Sequence, residues 1–162
     1  MDDVDYSSQL FWLSEECEAK LDRINPKLAE CVRKAQAISD TQIMVLEGRR
    51  SERMHEHLFN KGAVQNPTGS PYLYGYAVGL APVLNGRISL EAEPFDDVAQ
   101  CMIICAKELG IRLIWGGAPH FDNFQDYVGF IEDVTNQYID RRRERLHRPF
   151  VNMHHFEMGV EE

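Results

Sequence analysis

The stretch Ser70-Pro71-Tyr72-Leu73-Tyr74-Gly75-Tyr76-Ala77-Val78-Gly79-Leu80 carries an aromatic and apolar run out of a polar loop. Residues 62–71 are rich in Gly, Pro, Asn, Thr and Ser, a composition that interrupts regular structure. From Tyr72 to Val83 the residues suit a pleated, half-buried surface, which predicts a strand. Asn85-Gly86 predicts a hairpin turn into Arg87-Ile88-Ser89-Leu90. In such a strand Tyr72, Tyr74 and Tyr76 share one face. Two readings of that face stand: the phenols fill a pocket, or they form an aromatic binding surface.

Upstream, Ser14 is placed to cap a short helical segment within Phe11–Leu28. Pro26 suits the first turn of a helix that Leu28, Val32, Ala35 and Ile38 continue on one side, with Asp40 ending it. Gln42-Ile43-Met44-Val45-Leu46-Glu47 reads as a strand broken at Gly48. Ser51 opens a helix with Met54, Leu58 and Phe59 near one face; His55 and His57, on different faces of it, are expected in solvent. Downstream, Pro94 starts the clearest helix, with Phe95, Val98, Met102, Cys105 and Leu109 recurring at spacings of three and four before Gly110 stops it. Ile111 to Trp115 is a further strand, ended by Gly116-Gly117. Phe130 to Arg145 reads as an amphipathic helix, and Phe150 to Met158 as a last strand after Pro149. Helices and strands mix without regular βαβ alternation, so the expected class is α+β.

The 162 residues suit one domain. Lys and Arg number 17 against 26 Asp and Glu, a net charge of −9. With 44% hydrophobic and 27% charged residues, disorder of the whole chain is excluded. The acidic balance disfavours a broad grip on nucleic-acid phosphates, and no run approaches a membrane span. The N-terminus, Met1-Asp2-Asp3-Val4-Asp5, is acidic where a secretory signal is basic, which places the chain in a cytoplasm. Cys17, Cys31, Cys101 and Cys105 lack the spacing of a disulfide framework or zinc knuckle and read as small buried hydrophobes. Arg141, Arg142, Arg143, Arg145 and Arg148 form a basic run that either meets an anionic partner or offsets the acidic surface.

Taken in order, four segments resemble peptidase family M15, the D-Ala-D-Ala carboxypeptidase-like group, and within it the phage L-alanyl-D-glutamate endopeptidase endolysins. They are Glu47-Gly48-Arg49-Arg50-Ser51, the Ser70–Leu80 stretch, Trp115-Gly116-Gly117 and Asn152-Met153-His154-His155-Phe156-Glu157. The resemblance covers residues 12–158, with 1–11 as an arm, an inserted helix at about 118–149 and 159–162 as a tail. It implies a small antiparallel sheet flanked by helices, on the hedgehog/DD-peptidase type of scaffold. It also implies zinc, held by a His and an Asp in a pattern like Ser-Arg-His-x-x-Gly-x-Ala-x-Asp and by a second His in Asp/Glu-x-x-His-Phe-Glu. The first carboxylate of the latter pattern is the base for the attacking water.

Laid on those patterns, Tyr72 and Gly79 stand where two ligands belong, Asn152 stands at the base, and Pro71 replaces an arginine. His155, Arg50, Ser70, Gly75 and the Trp115-Gly116-Gly117 turn survive. A second register, with Asp126-Tyr127-Val128-Gly129-Phe130 on the last pattern, would put Gly129 at the third ligand. His154 and His155, adjacent in a strand, are expected on opposite faces. The expectation is therefore an endolysin-like pseudoenzyme with no zinc and no catalytic residue. Its remnant cleft comprises Arg50, Ser70, Tyr72, Tyr76, Gly79, Trp115, His155 and Glu157. Its use would be binding: a peptidoglycan stem peptide, a place in the virion, or a host or defence protein with a basic surface. The alternative is an active peptidase with a rearranged metal site.

Overall fold

The computed structural model describes residues 13–64, 70–147 and 151–159. The expected arm at 1–11, the core of the 62–71 loop, Arg148, Pro149, Phe150 and the tail beyond 159 lie outside the described residues. Among the described residues there are five α-helices: α1 (Glu15–Leu21), α2 (Pro26–Ile38), α3 (Glu52–Asn60), α4 (Ala92–Leu109) and α5 (Ile131–Glu144). Five strands accompany them: β1 (Gln42–Glu47), β2 (Ala77–Leu84), β3 (Arg87–Ile88), β4 (Leu113–Trp115) and β5 (His155–Met158). They form an antiparallel sheet in the order β1-β2-β5-β4, with β3 hairpinned to β2 through Asn85-Gly86. Both turn residues have positive φ, 53° and 77°, as the tight hairpin requires. The class is α+β, as the order of elements predicts.

Local chemistry sets the helix starts. The Ser14 and Ser51 hydroxyls accept from the amides of Cys17 and Met54, and the side-chain Oδ1 of Asn25, just ahead of Pro26, accepts from the Lys27 amide. The apolar stripe of α2 (Leu28, Val32, Ala35) is fully buried, as are Val98 and Met102 on α4, which packs on α2 and β2. Cys31 and Cys105 sit in this layer as free thiols, pushed up by burial to about 12 and about 11. Below β4 and β5, Trp115 stacks on Phe124 and Phe156, all three fully buried.

Several boundaries differ from the sequence expectation. β2 starts at Ala77 because residues 71–75 form a turn: Gly75 takes φ 78°, and the Pro71 carbonyl accepts from both Tyr74 and Tyr76 amides. The three tyrosines therefore share no face; Tyr72 is buried and Tyr74 is 61% exposed. β5 starts at His155, preceded by a turn at 153–154. α4 begins at Ala92, two residues ahead of Pro94, which falls within its first turn. On α3, Met54 and Phe59 are exposed and His55 is 1% exposed, against expectation, while His57 is exposed and Leu58 half-buried, in line with it.

Candidate functional site

A cleft of about 690 Å³ opens where the end of β1, the 70–72 turn, Gly116 and the start of β5 converge. Among its lining residues are Glu47, Arg50, Ser70, Tyr72, Asn152, His154, His155 and Glu157. The sheet register explains the meeting of β2 and β5: His155 stands opposite Gly79 in the antiparallel ladder. Segments up to 83 residues apart thus deliver Tyr72, Gly79 and His155 to one place. Gly129 lies elsewhere, in a surface groove with Asp96 and Phe130.

His155 is held from both ring nitrogens. Its Nδ1 lies 2.9 Å from the Tyr72 hydroxyl and its Nε2 lies 3.1 Å from Glu157 Oε1. Burial, with the Glu47 carboxylate adding, raises the Tyr72 phenol above its ordinary range and keeps it protonated. The phenol hydroxyl and the Glu157 carboxylate thus engage the two ring nitrogens, so the imidazole is satisfied at both ends. The connectivity is that of a nucleophile, base and orienter. A phenol held protonated is a poor nucleophile, however, so the row acts as a brace.

Arg50 is the second anchor. Its Nε donates to Glu47 Oε1 at 2.6 Å and its Nη1 to His55 Nδ1 at 3.1 Å. Its guanidinium carbon lies 4.5 Å from the Tyr72 ring centroid, a cation–π contact. Only 9% of Arg50 is exposed. The burial of His55 follows from its place: Arg50 precedes the Ser51 cap and His55 is the fourth helical residue, the pair that a staple joins across a helix start. Here a hydrogen bond makes the staple. That spacing is readable from sequence, and so is Glu47 three residues before Arg50.

The remaining expected residues are placed as follows. Ser70 lines the cleft, its hydroxyl accepting from the Tyr72 amide. Asn152 lines it too, with Oδ1 buried and without a partner among the described residues. A Cβ at Gly79 would meet His154 at 3.4 Å and Glu47 at 3.6 Å, so the missing side chain leaves room filled by neighbours. His154 shares the cleft with His155, contrary to the strand-alternation argument, because β5 begins only at His155. Burial, with His155 beside it, lowers the His154 imidazole. Trp115 and Tyr76 are not cleft residues. Trp115 is fully buried beneath the site, its indole donating to the Met153 carbonyl at 2.7 Å, and Tyr76 joins the 71–75 turn to Met158 by backbone bonds. Gly116 lines the cleft because only a missing side chain fits: a Cβ there would overlap the Asn152 carbonyl. The basic run ends α5, with Arg141, Arg143 and Arg145 exposed and Arg142 against His147. α5 also carries Tyr138 to the cleft wall. Among the described residues, no three His, Cys, Asp or Glu side chains are grouped so as to hold a metal ion.

Comparison with known proteins agrees with this architecture. The chain is 28% identical over 109 residues to the L-alanyl-D-glutamate peptidase of Escherichia phage T5, covering 65% of this chain and 80% of that protein. Its fold is similar to that of the L-Ala D-Glu endopeptidase ChiX of Serratia marcescens, at 20% identity and a TM-score of 0.70, over 96% of each chain. A family model described as phage L-alanyl-D-glutamate peptidase matches residues 9–137, which include Arg50, Tyr72 and Gly79 and stop short of Asn152 and His155. On that match, the chain belongs to the phage L-alanyl-D-glutamate peptidase family.

Proposed function

We propose that this chain is a member of its family that binds a peptide in the cleft without hydrolysing it. The observation that carries the reading is the saturated imidazole. His155, the one residue that matches an expected zinc ligand, has both nitrogens engaged by Tyr72 and Glu157. The donor set does not fit zinc: Tyr72 is a protonated phenol, Gly79 has no side chain, and Asn152 carries an amide where a base is needed. What the cleft keeps is its shape and the Arg50 wall. A peptidoglycan stem peptide is the first ligand to test, since the relatives are named for cutting L-Ala–D-Glu bonds.

Metal analysis of the purified full chain tests this first; stoichiometric, tightly held zinc overturns it. Incubation with muropeptides then separates binding from cutting, and release of fragments from the stem peptide sinks the proposal. Restoration is the sharper test. The triple variant Tyr72→His, Gly79→Asp, Asn152→Asp is expected to gain zinc binding. A folded triple variant that takes up no zinc removes the assignment of these positions.

A second reading is docking on a protein with a basic surface, such as a virion, host or defence component. It is favoured by the groove of Asp96, Asp97, Glu132 and Asp133, where Phe130 is 78% exposed.

A further inference from the structure

Arg50 has two sides. One faces the cleft; the other borders a separate groove of about 650 Å³, whose walls include Asp22, Arg23, Arg49, Glu52 and Tyr74. The walls are fixed by backbone bonds: Asn25 N–H donates to the Gly75 carbonyl at 2.8 Å, and Arg50 N–H to the Tyr72 carbonyl at 2.9 Å. Arg49 is pinned as well, its Nε donating to the Leu73 carbonyl at 3.3 Å, which leaves its two Nη groups for another acceptor.

Arg33 pairs with Glu18 and Asp22, Lys34 with Glu108, Arg112 with Asp122 and Arg50 with Glu47. Among the described residues neither Arg23 nor Arg49 makes an ion pair, although both line one groove. Of the two acids beside them, Asp22 is held by Arg33, and Glu52 lies in the first turn of α3, where the helix dipole offsets its charge. Tyr74 adds an exposed ring on the same wall. Guanidinium forks recognise planar carboxylates, and an exposed tyrosine supplies apolar contact at low entropic cost.

We propose that this groove is a binding site for a carboxylate-bearing peptide, gripped by Arg23 and Arg49 and resting on Tyr74. The site stands whether or not the cleft beyond Arg50 cuts peptides, so its failure and that of the preceding proposal are told apart by different readouts.

Titration of the isotope-labelled full chain, followed by nitrogen–proton NMR, tests it. Two peptides of equal length serve as probes, acetyl-Ala-Glu-Ala-Glu-amide and its Gln counterpart. The acidic peptide is expected to shift the Arg49 side-chain Nε–H and the Tyr74 and Ser51 amides. Its half-saturation concentration should be about tenfold lower than that of the Gln peptide, as expected for two charge-assisted contacts. In Arg23→Gln/Arg49→Gln that difference disappears, while Arg141→Gln/Arg145→Gln keeps it. Tyr74→Ala, which touches neither charge, weakens both peptides alike. Equal binding of the two peptides overturns the proposal. So do shifts confined to the Arg141–Arg145 helix end, or groove signals that stay still throughout the titration.

Discussion

The two faces of Arg50 differ in how their polar groups are satisfied. On the cleft side, Glu47, His55, Tyr72, His155 and Glu157 bond to one another or to Arg50, and the network closes on itself. On the groove side, Arg23 and Arg49 make no ion pair among the described residues, although Asp22 and Glu52 line the same groove. Adjacent residues of one segment, Arg49 and Arg50, thus carry the same guanidinium into opposite circumstances. Position along the chain says little about the work of a charged group; the number of its own protein's acceptors within reach says much more.

The largest test of that contrast is a matched pair. Arg50→Met strands Glu47, His55 and the Tyr72 face, and should cost about 3 kcal/mol in denaturant unfolding. Arg49→Met, one residue away and exposed, should stay within about 0.5 kcal/mol. Similar losses for the two would break the distinction. Next in size is Tyr72→Phe, which removes the hydroxyl from His155 and should cost about 1 kcal/mol. The same phenol gives a pH signature. Its pKa is raised by burial, so its contribution is complete below the unfolded tyrosine value of 10.0 and is lost as pH rises toward the folded value. Phenolate absorbance should show one tyrosine that ionises last, and Tyr72→Phe should remove it. A phenol that titrates with the exposed tyrosines would refute the closed network.

Asp96 is a polar group with a buried oxygen and no partner, so it sharpens the comparison from the unsatisfied end. Burial, with Glu132, Asp97 and Glu93 adding, pushes its carboxyl up to about 6 from 3.8. A raised pKa means the stability contribution is full below 3.8 and lost as pH rises through about 6. Asp96→Asn should therefore flatten the change over that window and gain about 1 kcal/mol at neutral pH, allowing for partial solvent screening. Smallest is Arg23→Gln, expected to leave the unfolding midpoint unmoved within about 0.3 kcal/mol while abolishing most discrimination between acidic and neutral peptides.

Much of this could be read from residues alone because it depends on near neighbours. The Ser14, Ser51 and Pro26 helix starts, the α2 and α4 stripes and the Asn85-Gly86 turn rest on chemistry a few residues wide. The 71–75 turn was hidden because its aromatic residues suit a strand; a positive φ at Gly75 and two amides sharing one carbonyl outweigh that propensity. His154 escapes the alternation argument for the same reason, since alternation applies only from His155 onward. The resemblance puts Trp115 in the cleft, yet its ring packs in the stack with Phe124 and Phe156. Nothing local tells which side of a backbone a large ring takes; the volume beneath it does.

The strand order has a consequence for how the chain comes into being. β5 lies between β2 and β4, and among the described residues it is the last strand in sequence. On a translating ribosome, β1 and β2 can pair and α2 and α4 can collapse, but β4 must wait with an open edge until residues near 158 emerge. The Tyr72–His155 bond, bridging 83 residues, can form only then. A chain stalled before β5 would therefore leave β2 and β4 without the neighbour they share, exposing edges prone to aggregation that β5 covers once it inserts.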